Sequence, residues 1–185
     1  MELTARVLYD ERVESCKQGN AAAFKDLYRQ YAAAMFNTSL RIVNHTGDAE
    51  DLVQEAFIDA FRKIEDFNYQ STFGAWIKRI VINKSLNHLR GKKLKFIDIS
   101  TAGPLNPEAE EIDEEAFEFR VEEIKKAVAQ LPDGYRAVFT LSAFEGYSNE
   151  QISELLNISS STVRTQYHRA RKQLLLILKG GSHEK

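Results

Sequence analysis

The spacing of apolar residues predicts helices along most of the chain. Apolar side chains recur every three or four positions, as in an amphipathic helix, and no segment shows the alternation typical of a half-buried strand. The predicted helices cover residues 21–44, 48–67, 73–91, 117–130, 135–144, 148–156 and 160–178. We therefore expect an all-α fold of two small helical bundles.

An acidic segment containing prolines separates the two predicted bundles. No proline occurs before Pro104, and Pro107 follows it closely. Proline disrupts helix interiors, and residues 108–123 then hold nine acidic side chains. We predict an N-terminal domain at residues 1–95, an acidic linker at 96–116 and a C-terminal domain at 117–185, which ends in a helix-turn-helix.

The residues of this predicted helix-turn-helix have recognisable roles. Ser148 and Gln151 have the spacing of a capping box, and Asn157 can adopt the left-handed conformation of a tight turn. Ser159 or Ser160 then caps a longer helix. The core face of that helix is predicted to contain Val163, Tyr167, Ala170, Leu174 and Leu178.

The opposite face of the last helix carries side chains that suit DNA. We predict that it consists of Arg164, Thr165, His168, Arg169 and Lys172. These residue types contact base edges and phosphates in a major groove. A solvated basic helix in an ordinary bundle is the alternative, but the capping box, the turn and the absence of acids from residues 155–183 favour DNA binding.

Charge is segregated along the chain. The net charge of −2 alone argues against nucleic-acid binding. However, residues 71–97 contain no acid, and they hold Lys78, Arg79, Lys84, Arg90, Lys92, Lys93 and Lys95. Two basic stretches on either side of an acidic one indicate two surfaces for a polyanion.

The predicted helix at 48–67, with Asp48 as its N-cap, has a wide apolar face and a polar one. Ile58 falls on the polar face, which also holds Asp51, Gln54, Glu55 and Arg62. An exposed isoleucine is ordinary in a soluble protein. It is equally typical of the apolar centre of a protein-docking patch, and both interpretations stay open.

The predicted helix at 73–91 has an aromatic and cationic side. Trp76, Arg79, Asn83 and Arg90 follow helical spacing along it, which suits DNA with partly unstacked bases. The preceding loop, with Asn68, Tyr69, Gln70, Ser71 and Thr72, is rich in hydrogen-bonding groups, as a pocket for a flipped base would be. Trp76 is equally typical of a core tryptophan.

Other classes of protein receive little support. The single cysteine, Cys16, excludes an internal disulfide and favours a reducing cytoplasm. No apolar run reaches the length of a membrane span, so we expect no membrane insertion. The histidines do not match a zinc-protease motif, and no P-loop or nucleophile elbow is present. We expect no catalytic residue, no metal and no cofactor.

Several motifs, taken in order, resemble those of extracytoplasmic-function (ECF, group IV) sigma factors, compact members of the sigma-70 family of RNA polymerase subunits. These motifs are DAEDLVQEAF at 48–57, FGAWI at 73–77, Asn83 with Leu89-Arg90, LPD at 131–133, TVRT at 162–165 and RAR at 169–171. The resemblance spans about residues 20–178. Two positions depart from the pattern: Asn87 stands where the family often has Asp, and Asn157 where such turns often have Gly.

The resemblance implies how the predicted surfaces act. The first domain would bind the largest subunit of core RNA polymerase through the 51–62 face, and would read and melt the −10 element through residues 68–90. The second would bind the other large subunit and read the −35 element through the 164–172 face. The family commonly has an anti-sigma factor, and we expect one as a partner here.

A helix-turn-helix regulator with an N-terminal sensing domain is the alternative function. It shares the C-terminal features but leaves the acid-free stretch at 71–97, with Trp76 and Asn83, unexplained. Such regulators usually bind palindromes as dimers. An enzyme is a more distant third possibility.

Overall fold

Helices build both parts of the chain that the structure describes. The computed structural model describes residues 9–92 and 121–181, and these ranges contain helices and turns but no strand. The prediction of an all-α fold is confirmed. The chain divides into two compact units, Met1–Lys92 and Lys93–Lys185. The predicted linker at 96–116 lies outside the described residues.

The described part of the first unit is a small helical bundle. Its elements are α1 (Glu11–Lys17), α2 (Ala21–Val43), α3 (Thr46–Arg62), a 3-10 turn (Ile64–Asp66) and α4 (Phe73–Gly91). The helices predicted at 21–44 and 73–91 correspond to α2 and α4, whereas α1 was not predicted. Helices α2, α3 and α4 all pack against one another around a core that includes Leu27, Phe57, Phe73 and Ile77.

The N-cap of α3 differs from the prediction. His45 is the N-cap, and its Nδ1 accepts a hydrogen bond of 3.2 Å from the backbone N–H of Asp48. Asp48 lies inside the first turn, where a carboxylate interacts favourably with the helix dipole. The predicted cap at Asp48 is therefore wrong, because the histidine ring supplies the acceptor that the aspartate was expected to supply.

Small side chains allow α2 and α4 to approach closely. Ser39 and Ser85 are buried, with their Oγ atoms 3.0 Å apart. At the start of α4, a Cβ atom added to Gly74 would lie 2.7 Å from the Cε1 atom of Tyr31. The close approach of Gly74 to Tyr31 lies in the first turn of α4, directly after the loop at 68–72.

The described part of the second unit is arranged around one long helix. Its elements are α5 (Val121–Ala129), α6 (Asp133–Phe139), a π-helical turn (Thr140–Phe144), α7 (Asn149–Leu156) and α8 (Ser160–Gly181). Helices α5, α6 and α7 each pack against α8. Leu131, Tyr135, Phe139, Ala170 and Leu174 form much of one core cluster.

Candidate functional site

The predicted helix-turn-helix is present, formed by α7, a tight turn and α8. The capping box has both bonds: Gln151 N–H donates to Ser148 Oγ at 3.3 Å, and Ser148 N–H donates to Gln151 Oε1 at 2.9 Å. Asn157 ends α7 in the left-handed region, with φ +53°. Ser159 is the one of the two candidate serines that caps α8, since its Oγ accepts a 3.1 Å bond from the N–H of Thr162.

The two long faces of α8 are separated as the periodicity predicts. Val163, Ala170, Leu174 and Leu178 are buried, and Tyr167 is half-buried. On the outer face, Arg164, His168 and Lys172 are exposed and Arg169 is half-buried. This face of α8 therefore presents cationic and hydrogen-bonding side chains to solvent.

Thr165 does not lie on this outer face. It was expected there, but only 9% of it is exposed. Thr162 and Arg169 are its neighbours at helical spacing, and both are half-buried. The whole flank is therefore less exposed than Arg164 and His168. The expectation is wrong because three helices pack around α8, which buries a wider arc than the apolar stripe alone.

Arg171 is a cation that the sequence analysis noted only within the RAR motif at 169–171, without placing it on the outer face of α8. It is exposed. It lies three residues after His168, which lies four residues after Arg164, so helical geometry places the three side chains on one side of α8. Its neighbours in the sequence, Ala170 and Lys172, lie on different faces. The spacing of residues 164, 168 and 171, which places them on one side of a helix, was the signal in the sequence that could have identified Arg171 as part of this face.

The polar face of α3 is exposed along its length. Asp51, Gln54, Glu55, Ile58 and Arg62 are all exposed. The opposite face packs into the bundle through Ala49, Leu52, Val53, Ala56, Phe57 and Ala60. Ile58 is 49% exposed, so it forms an apolar centre among polar side chains.

An apolar groove between α2 and α3 adjoins this face. It is lined by Tyr28, Ala32, Ala33, Phe36, Glu50, Val53 and Gln54. Gln54 belongs to both the groove and the polar face. Tyr28 is 38% exposed. The sequence did not identify it as part of this surface, because Tyr28 lies on α2 whereas Glu50, Val53 and Gln54 of the groove lie on α3.

Ion pairs from α3 neutralise part of the basic stretch on α4. The Nζ of Lys84 lies 2.7 Å from Asp59 and 3.2 Å from Glu55. Asp48 pairs with Lys92 at 2.6 Å and with His88 at 3.0 Å. The hydrogen bond from Lys84 lowers the pKa of Asp59, and the one from Lys92 lowers the pKa of Asp48.

These pairs change the interpretation of the basic stretch. Lys84 and Lys92 are held by acids of α3, so a segment without acids in sequence is not a surface without acids. Arg79 and Arg90 are exposed, and Arg90 donates to the Oδ1 of Asn87 at 2.6 Å. Fewer cations of α4 are therefore positioned to bind a polyanion than the sequence alone indicates.

The side of α4 predicted to contact DNA is partly core. Trp76 is half-buried, and its ring lies 5.3 Å from that of Phe67 and 5.8 Å from that of Phe73. Asn83, farther along this side, is exposed. Trp76 and Arg90 are separated by about 21 Å at 1.5 Å per residue. That length corresponds to about six nucleotides of a strand rising 3.4 Å each.

The loop at 68–72 is organised by its own polar groups. Asn68 Oδ1 accepts a 3.3 Å bond from the N–H of Gln70, and both residues are exposed. Ser71 Oγ donates to the carbonyl of Thr72 at 3.3 Å. Thr72 caps α4 by accepting from the N–H of Ala75 at 3.2 Å. The loop therefore leads directly into the first turn of α4.

Tyr69 has the least favourable backbone conformation in this loop. Its φ is +59°, a left-handed conformation that disfavours a bulky side chain by about 1–2 kcal/mol. Its hydroxyl donates to the carboxylate of Glu14, and the ammonium of Lys17 lies 4.8 Å from its ring centroid. Tyr69 thus connects the loop to α1.

Among residues 9–92 and 121–181, no group of three or more histidine, cysteine or acidic side chains is placed to hold a metal ion. No helix within these ranges is long and apolar enough to cross a membrane.

Comparison with family models defines the class of protein. The model of sigma-70 region 2 matches residues 27–94, which hold α3, the loop at 68–72 and α4. The model of sigma-70 region 4 matches residues 121–174, which hold the helix-turn-helix. Because the N-terminal part of the chain matches region 2, the alternative of a regulator with an N-terminal sensing domain is not supported.

Relatives that match over most of the chain identify the subfamily within the sigma-70 family. The ECF RNA polymerase sigma factor SigW of Bacillus subtilis (strain 168) is 30% identical over 182 residues, which cover 91% of this chain and 95% of SigW. The RNA polymerase sigma-H factor of Pseudomonas aeruginosa is 31% identical over 172 residues, covering 88% of this chain and 89% of that protein. The chain therefore belongs to the extracytoplasmic-function sigma factors of the sigma-70 family.

A solved structure has the same fold. The sigma factor RpoE from Bartonella quintana, in complex with the anti-sigma factor NepR, superimposes with a TM-score of 0.55. The two sequences are 22% identical, and the match covers 84% of this chain and 96% of that one. At this identity the likeness concerns the fold.

Membership of this family establishes the general activity. The protein binds core RNA polymerase and directs it to specific promoters by reading −35 and −10 elements, and it helps to melt the −10 DNA. Sigma factors are non-catalytic transcription initiation factors.

Proposed function

We propose that the two units divide promoter recognition between them. The N-terminal domain, residues 1–95, binds core polymerase and the −10 element. The C-terminal domain, residues 117–185, reads the −35 element. The acidic segment at 96–116 connects them. The observation that carries this division is the outward, cationic face of α8, set on a fully capped helix-turn-helix.

In the C-terminal domain, α8 acts as the recognition helix. The first turns of such a helix contact base edges in the major groove. Arg164 and His168 are exposed in these turns, so they supply base contacts. Lys172 lies two turns farther along and suits a phosphate contact. Arg169 is half-buried and reaches DNA from the edge of this face.

In the N-terminal domain, the loop at 68–72 and α4 capture the −10 strand. Asn68 and Gln70 are exposed and offer amide groups that can hydrogen-bond to a base edge. Arg79, Asn83 and Arg90 continue along the exposed side of α4. Trp76 is half-buried, so it supports this surface from the core and offers only part of its ring for stacking.

Helix α3 supplies the polymerase-docking face. Ile58 is its apolar centre, and Asp51, Gln54, Glu55 and Arg62 form a polar rim, an arrangement typical of protein interfaces. The groove next to it, with Tyr28 and Phe36, extends the apolar area through Gln54. The same domain can therefore dock on protein with α3 and face DNA with α4.

The remaining features of the proposal are less residue-specific. We place the protein in group IV of the sigma-70 family, acting in the cytoplasm with polymerase and promoter DNA, without a catalytic activity or cofactor of its own. An anti-sigma factor is proposed as a partner. The structure of RpoE from Bartonella quintana was solved in complex with one, which supports this proposal by analogy of fold.

Replacement of Ile58 tests the docking face. Ile58→Asp should weaken the affinity for core polymerase, measured in the absence of DNA, because it places a charge at the apolar centre of the face. Asn87→Asp is the matched control, since it adds the same charge at an exposed position on α4. Equal affinity of a folded Ile58→Asp variant and the control would contradict the assignment.

Replacement of Asn83 tests −10 recognition. Asn83→Ala should reduce transcription from a linear duplex promoter more than from the same promoter with a pre-melted −10 bubble, if the surface captures the unstacked strand. Asn37→Ala, at an exposed position on α2, is the control. Equal losses on both templates, with an unchanged −10 base preference, would show that α4 does not capture this strand.

A further inference from the structure

Helix α1 lies beside the loop proposed to read the −10 element. It is only seven residues long, Glu11–Lys17, and it packs against α2 and the 3-10 turn at Ile64–Asp66. One side of α1 enters the core through Val13 and Cys16. Another side presents Glu14 and Lys17 to the loop.

Contacts from α1 hold both the side chain of Tyr69 and the backbone just before it. Glu14 accepts a hydrogen bond from the Tyr69 hydroxyl. The Nζ of Lys17 donates to the carbonyl of Phe67 at 3.1 Å and lies 4.8 Å from the Tyr69 ring centroid. Lys17 also pairs with Glu14 at 3.3 Å. Residues on one face of α1 therefore hold the loop at its entry and at its strained residue.

The ring of Tyr69 has further aromatic neighbours. Tyr9 stacks on it at 5.6 Å between centroids, and Phe67 meets it edge-on at 4.8 Å. Burial, together with the hydrogen bond to Glu14, raises the pKa of the Tyr69 hydroxyl, so the hydroxyl remains a donor at neutral pH. A base that stacked on this ring would have to displace contacts that are already made.

We propose that Glu14 and Lys17 of α1 anchor Tyr69, and that this anchor sets the conformation in which the loop presents Asn68 and Gln70 to a −10 base. Tyr69 is then a positioning residue rather than a base contact, which differs from the expectation from sequence. The inference rests on the proposed role of the loop at 68–72. It assigns a specificity-determining role to α1, which precedes the segment matched by the region 2 model.

The backbone conformation supports this assignment. A left-handed φ at a non-glycine residue persists only where surrounding contacts hold it, and at Tyr69 those contacts come from α1 and the neighbouring rings. Asn68 and Gln70 flank Tyr69 and point their exposed side chains to solvent. If Tyr69 relaxes, both neighbours change direction, because they share peptide units with it.

The test compares base preference at the −10 and −35 elements. Full-length variants are assembled with core polymerase, and transcription is measured from a matched promoter and from promoters with single-base changes in either element. Glu14→Ala should reduce discrimination at one −10 position by about fivefold, the scale of the net contribution of one ordinary hydrogen bond. Its discrimination at −35 should not change. Glu14→Gln keeps an acceptor oxygen and should retain most of the −10 discrimination.

Glu11→Ala is the matched control, because Glu11 is an exposed carboxylate on the same helix. Tyr69→Phe, which removes only the hydroxyl, should reproduce the effect of Glu14→Ala. A merely destabilised variant would lose activity on every promoter alike, so a change confined to one −10 position identifies the positioning role.

Two further outcomes overturn the inference in distinguishable ways. If Asn68→Ala with Gln70→Ala alters −10 preference while Glu14→Ala and Tyr69→Phe do not, the loop reads DNA and the anchor has no part in specificity. If none of these variants alters −10 preference, the loop does not read this element, and the proposed role of the loop fails together with the anchor.

Discussion

Burial separates Thr165 from the other polar side chains at the start of α8. Periodicity distinguishes a core face from an outer face, and it placed Thr165 with Arg164 on the outer one. The flanks between those faces depend on which neighbouring helices pack there, and here α5, α6 and α7 all contact α8. A flank residue such as Thr165 could not be assigned without knowledge of that packing.

Thr165→Val should therefore leave the −35 base preference unchanged. The side chain is buried, so its hydroxyl cannot reach a base edge. Arg164→Ala, on the exposed face, should instead reduce discrimination at one −35 position by about 1–3 kcal/mol. Binding to a set of single-base −35 variants measures both effects. A relaxed preference at one position in Thr165→Val would show that the buried placement is wrong.

Gly74 is needed where α4 begins against α2. Gly74→Ala should lower the melting temperature, with a loss in free energy of unfolding of about 1–3 kcal/mol, because the new Cβ would lie 2.7 Å from the Tyr31 ring. Gly91→Ala is the control, since a Cβ there meets nothing within 4 Å and alanine favours helix. Equal melting temperatures for the two variants would contradict the close approach.

Among the elements, the sequence predicted counterparts of α2 to α8 but not α1. Helices α2, α4 and α8 each carry an apolar stripe over several turns, so periodicity located them within a few residues. Helix α1 has only Val13 and Cys16 on its buried side. A helix of seven residues is unstable alone, so its formation depends on packing against α2, which no local pattern reveals. The helix predicted at 135–144 likewise did not reveal that Thr140–Phe144 forms a π-helical turn.

The contact between α3 and α4 makes stability depend on pH. Hydrogen bonds from Lys84 and Lys92 lower the pKa values of Asp59 and Asp48. A lowered pKa in the folded state means that the ionised carboxylate stabilises the fold above its unfolded pKa of about 4. This contribution is lost as the pH falls through the lower, folded value. The first unit should therefore lose stability below about pH 4.

Asp59→Asn isolates this contribution. At neutral pH the variant should melt below the wild-type chain, because it removes the carboxylate bonded to Lys84 at 2.7 Å. The difference should shrink as the pH falls from about 4 through the lowered pKa of Asp59, where the folded wild-type carboxylate becomes protonated. Asp51→Asn, an exposed acid on the same helix that takes no part in the Lys84 pairs, is the control. A difference that does not vary with pH would mean that the ion pair does not stabilise the fold.

At the scale of the whole molecule, the ordered motifs predicted more than any single one. Each motif was short, but their order along the chain indicated both sigma-70 regions, and the family models match the same two parts. Pairing across elements was not predictable in this way. The acids that neutralise Lys84 and Lys92 lie on another helix, and Glu14 is 55 residues from Tyr69.

The two proposed DNA-reading surfaces belong to separate compact units, so their contributions should add. Asn83→Ala and Arg164→Ala are combined in one chain, and the free energy of open-complex formation is measured for both single variants and the double. Contacts without shared partners are usually additive within about 0.5 kcal/mol. Asn83→Ala with Glu14→Ala is the contrasting pair, since both act through the −10 strand and should not add. A coupling above about 1 kcal/mol between Asn83 and Arg164 would show that the −10 and −35 surfaces read the promoter as one cooperative unit.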